Sequence, residues 1–118
     1  MEFLKCPAPP KPFSLVMARI PESNNTQFNP FTLSKHFPKR DVAGLIHKRV
    51  LEHHAVIVSV QKQIGHDNWH LEHEEGGRPI LYVNGEKSSR KISISHMQCP
   101  EKYFYAAALI AEVDFNIG

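Results

Sequence analysis

The stretch Lys91-Ile92-Ser93-Ile94-Ser95-His96 constrains this chain more than any other. Apolar and polar residues alternate through it, the signature of a half-buried strand. The predicted strand ends on a hydroxyl beside an imidazole, Ser95 and His96, so it can hold two donors towards an anion. Just before it, Gly77-Arg78-Pro79 places a cation on a turn entered by glycine and fixed by proline. After it comes an apolar, aromatic-rich run from Tyr103 to Val113.

Several elements lead up to this strand. Residues 1–12 read as an extended, poorly ordered lead-in, because Pro7, Pro9, Pro10 and Pro12 exclude helix. Phe13–Ile20 reads as a strand and 21–34 as a polar loop rich in Asn, Pro and Ser. Pro38 suits the first turn of a helix that the spacing of Leu45, Ile46, Val50 and Leu51 carries to about His54. Arg40 falls in that first turn, where the helix dipole disfavours a cation unless an anion binds beside it. Ala55–Val60, Asn68–Glu74 and Ile80–Val83 read as strands, with Asn84-Gly85 as a hairpin turn. In Tyr103–Val113 the alanines favour helix while Tyr, Phe, Val and Ile favour strand. A hairpin with Lys91–Ser95 would close the sheet, so strand is expected. The fold class that follows is α+β, an antiparallel sheet packed on one main helix.

A chain of 118 residues forms one domain or half of a larger one and can bury roughly two-thirds of its unfolded surface. A net charge of +2, without a long Lys/Arg stripe, argues against nucleic acid as a partner and suits a local anion pocket better. Cys6 and Cys99 form no dense framework, so a reducing compartment is expected. No run approaches a membrane span or a signal peptide, so the expected location is the cytoplasm.

Three constellations invite chemistry. His66, His70 and His73 have a spacing that would converge on a helix as zinc ligands, but the segment alternates as a strand, which sends His70 and His73 to opposite faces. Ser95 and His96 are adjacent on a strand and point apart, so they do not form a nucleophile pair, and no GxSxG elbow accompanies them. Glu112 and Asp114 share a strand face and read as a solvated edge rather than a metal pair.

Taken in order, Arg40, Gly44 and Arg49 on the helix, then Trp69, Gly77-Arg78-Pro79, Ile94-Ser95-His96 and Ile117-Gly118 resemble the motifs of the 4'-phosphopantetheinyl transferases. The closest match is the larger, surfactin-synthetase-activating type. The resemblance covers about residues 13–118. These enzymes transfer 4'-phosphopantetheine from coenzyme A to a serine of an acyl or peptidyl carrier protein, in fatty acid, polyketide or nonribosomal peptide biosynthesis. The resemblance implies one half of a pseudo-twofold fold, with residues 13–118 as the N-terminal subdomain. It assigns Arg40, Arg78, Ser95 and His96 to the coenzyme A phosphates, which suits residues that make charge-assisted contacts to such groups. It implies magnesium on the pyrophosphate, held by an Asp and a Glu expected beyond Gly118, so the isolated chain is expected to be incomplete and inactive. Pairing with a C-terminal half, or a homodimer, is expected to cover the exposed apolar surface. The alternative is a non-catalytic interaction domain of the same fold that pairs with a partner half.

Overall fold

The alternating stretch does form a strand, and that strand runs well past His96. The computed structural model describes residues 2–5, 8–21, 30–40, 47–99 and 103–111, with backbone alone for 2, 30–32, 47–49, 98 and 99. The elements are β1 (Glu2–Leu4), β2 (Phe13–Pro21), α1 (Pro30–His36), α2 (His47–Ile64), β3 (Trp69–His73), β4 (Pro79–Val83), β5 (Glu86–Lys87), β6 (Lys91–Cys99) and β7 (Tyr103–Ala111). They build two antiparallel sheets, of order β1-β2-β7-β6 and β3-β4-β5. The mixed α and β composition and the antiparallel pairing are as expected from the sequence.

Helix α2 lies across one face of the larger sheet, over β2 and β7. That face is apolar because alternate residues point to it: Ala18 and Ile20 from β2, and Phe104, Ala106, Ala108 and Ile110 from β7, all at most 2% exposed. Opposite them α2 buries Leu51, Ala55, Val56 and Val60. Helix α1 adds Leu33, followed by Phe37, and the smaller sheet adds Trp69, Leu71 and Leu81, so one apolar cluster joins both sheets. Each fully buried large side chain contributes about 1.5–3 kcal/mol.

Several elements depart from the sequence reading. Ala55–Val60 is helical, not a strand, because α2 continues through it without a glycine or proline to stop it. The buried positions 51, 55, 56, 59 and 60 follow helical spacing, and packing on the sheet overrides the strand preference of Val and Ile. Ser59 fits this interior because its hydroxyl donates to the Val56 carbonyl at 2.9 Å. The helix stops at Gly65, whose φ of +89° is a left-handed terminating conformation.

Residues 30–34, expected in a loop, belong to α1 instead, with Pro30 at the first helical position. Arg40 lies in a turn, where its N–H donates to the Phe37 carbonyl at 3.1 Å, and residues 41–46, including Leu45 and Ile46 of the expected helix, lie outside the described residues. β6 extends to Cys99, and Ser95 and His96 pair with Ala107 and Ala106 in mid-strand.

Elsewhere the hairpin turn and the strand after it follow the sequence reading, while the lead-in contributes a strand that was not expected. Glu2–Leu4 is extended and also pairs with β2, through Leu4 opposite Met17. Asn84 and Gly85 have φ of 54° and 81°, the pair of positive angles that a tight hairpin turn requires. Tyr103–Ala111 is a strand. Gly44, Glu112, Asp114 and Ile117-Gly118 lie outside the described residues, as does the Arg49 side chain. Among the described residues no helix is long and apolar enough to cross a membrane.

Candidate functional site

Arg40 is placed by α1 and the turn after it. Leu33 and Phe37 anchor this segment in the core, and the His36 ring binds it to β3. His36 Nδ1 lies 2.8 Å from the Trp69 carbonyl, and the two rings stack at 4.0 Å. Lys35 adds an ion pair to Asp67 at 2.9 Å, which holds the Asp67 carboxyl below its ordinary range. With the segment fixed, the Arg40 side chain turns towards α2. Its Nη1 lies 3.0 Å from His53 Nε2. A guanidinium only donates, so His53 accepts through Nε2 and its neutral ring carries its proton on Nδ1. His53 is buried and meets the Phe37 ring edge-on at 5.0 Å.

His96 reaches the same place from β6. Alternation points Ile92, Ile94 and His96 towards α2, and the His96 Nδ1 atom comes to 3.6 Å from Glu52 Oε2. At that separation the pair is an ion pair when the ring is protonated, not a direct hydrogen bond. His73, at the end of β3, completes the group. Its pKa is lowered, first by partial desolvation and then by the Arg40 charge.

Arg40, Glu52, His53, His73 and His96 therefore line one cleft of about 170 Å3, with Gly77 at its side. Its apolar walls include Val56, Leu71, Pro79 and Ile94. A contiguous hollow of about 250 Å3 adds Lys39 beside Arg40. Among the described residues, Arg40, three imidazoles and, in the second hollow, Lys39 stand against one carboxylate, Glu52. With Arg40 and Lys39 against Glu52, the cleft suits an anion of about phosphate size.

Of the four residues expected to bind phosphate, the structure brings Arg40 and His96 together, although 56 positions separate them (96 − 40). Arg78 lies in an adjoining cleft that shares Pro79 and Ile94 with the first, so the turn Gly77-Arg78-Pro79 straddles the two. Ser95 is exposed on the face of β6 turned away from α2. Glu52, His53 and His73 were not expected here. The helical spacing that includes His53 is legible in the sequence, but its meeting with Arg40 depends on α1, which is not.

The His66, His70 and His73 group does not converge. His66 accepts from the Asn68 N–H at 3.1 Å, while His70 pairs with Glu72 at 3.0 Å and stacks on Tyr82 at 4.7 Å. Among the described residues no group of three or more His, Cys, Asp or Glu side chains is placed to hold a metal ion. Comparisons with protein-family models, with curated proteins and with solved structures give no match.

Proposed function

We propose that this chain supplies the phosphate-binding half of a 4'-phosphopantetheinyl transferase and holds coenzyme A through Arg40 and His96. The observation that carries this is their convergence, from a turn and a strand far apart in sequence, on one cleft with Lys39 in the contiguous hollow. Arg40 gives an anion a fixed, planar donor, oriented by its bond to His53. His96 adds a second donor from across the cleft. Glu52 competes with the ligand for His96, so an anionic phosphate binds best when the ring is protonated.

The acceptor in this reading is a carrier-protein serine: its hydroxyl oxygen bonds to the β-phosphorus of coenzyme A, the pyrophosphate P–O bond breaks to release adenosine 3',5'-bisphosphate, and the hydroxyl proton passes to solvent, while the cleft holds the phosphates in place. Magnesium, where bound, offsets the pyrophosphate charge. Among the described residues no group of side chains fits a magnesium site. The carrier protein and a second half of the fold are the partners proposed with this reading.

Thermal melting tests it. Coenzyme A at ten times its dissociation constant should stabilise the chain by about 1.4 kcal/mol, a shift of a few degrees. Arg40→Ala and His96→Ala should each remove most of that shift. Arg78→Ala, in the adjoining cleft, should leave more of it. An unchanged melting temperature at millimolar coenzyme A would overturn the proposal.

A further inference from the structure

The adjoining cleft has a character of its own. It encloses about 650 Å3 and is rimmed by Arg78, Lys87, Arg90 and Lys91 against one carboxylate, Glu74. Its apolar lining comes from Ile80, Ile92, Ile94 and Leu109, from both faces of the larger sheet at its β6 edge. Phe13 stands at its side with 39% of its surface exposed. An occupant that matches this lining carries several negative charges and an apolar body.

The backbone narrows the choice. Residues 90 to 94 line the cleft without a gap. Successive side chains of a strand point to opposite faces, so an unbroken run along one wall means that the cleft follows the hydrogen-bonding edge of β6. Among the described residues β6 is the end strand of its sheet and is laddered to β7 alone. Along residues 90–94 its outer edge faces the cleft, with β4 in contact beside it, and an edge of this kind is a template for another strand. An alkyl phosphate would match the apolar lining and the cations but leave the peptide groups of this edge unmet. An extended peptide meets all three.

From this we infer that the cleft docks an extended acidic peptide segment, with alternate apolar side chains against the apolar lining and alternate carboxylates among Arg78, Lys87, Arg90 and Lys91. The inference does not rest on the coenzyme A reading, since it concerns a different cleft and different cations.

Calorimetric titration tests it, with an acetylated and amidated hexapeptide of alternating Glu and Val as the probe, at low salt and without coenzyme A. Saturable binding is expected, weakened by salt. The exposed pair Lys87→Glu/Lys91→Glu should lower affinity about tenfold or more. N-methylation of alternate peptide residues should cost a similar factor, because it removes the strand-forming donors. If the charge-reversed protein fails to fold by circular dichroism, Lys87→Gln/Lys91→Gln reads the same direction more gently. The inference is overturned by the absence of saturable heat at millimolar peptide, by unchanged affinity in the lysine variants, by equal binding of the N-methylated peptide, or by decyl phosphate binding where the peptide does not. The coenzyme A melting shift, read on the same lysine variants, is expected to persist, so failure of one proposal is distinguishable from failure of the other.

Discussion

His36 shows how one side chain can fix a site without touching it. It bonds to the Trp69 carbonyl and stacks on the Trp69 ring, and so sets where α1 ends and Arg40 begins. Loss of these contacts in His36→Ala should cost about 1–3 kcal/mol in a urea titration, with coenzyme A binding weakened because Arg40 is no longer aimed. Burial is the first cause that lowers the His36 pKa, and it lowers that of His54 as well. Unfolding returns both rings to the ordinary value of 6.5, so the unfolded chain binds more protons below it. Stability from these two residues is therefore fully present above pH 6.5 and lost as the pH falls towards their lowered folded values. The urea midpoint should drop between pH 7.5 and pH 5, and His54→Leu should flatten that dependence. The same slope in the wild type and in His54→Leu would rule out a part for His54. Arg40 and His96 were legible in the sequence as cation and donor. Glu52 and His73 were not, because their roles arise only where a helix face and a strand end meet.

At the scale of elements, strands with clean alternation were legible, and β6 and β3 are the clearest cases. The turn at Asn84-Gly85 was legible for a different reason, since only a few residues adopt two successive positive φ angles. Gly85→Ala should therefore cost about 1 kcal/mol in a urea titration although nothing crowds the position, because the backbone angle alone is unfavourable. The second half of α2 was not legible. Ala55–Val60 has the composition of a strand, and it is the sheet beneath that selects the helix. Leu51→Ala, in the fully buried seam between that helix and the sheet, should destabilise by about 2–5 kcal/mol by the same measurement. A value below 1 kcal/mol would mean that α2 does not rest on the sheet as described.

Across the whole molecule, β7 is the central strand of the larger sheet. It is laddered on both sides, to β2 and β6, and covered by α2. Its amides should exchange with solvent only on global unfolding, while those of β5, two residues long and at the end of the smaller sheet, should exchange first. Residues facing α2 from this central strand include Ala106 and Ala108, and Ala106 sits directly beside His96 in the ladder. Ala18 continues the same row on β2, opposite Ala106. Small side chains let the helix settle close, and Gln63 ties it down by donating to the Ala108 carbonyl at 2.8 Å. The gap between Glu52 on the helix and His96 on the sheet is thus a clearance set by shims, three alanines that never meet a ligand. A slightly thicker shim, such as Ala108→Val, would lift the helix and widen the grip while leaving every gripping residue in place.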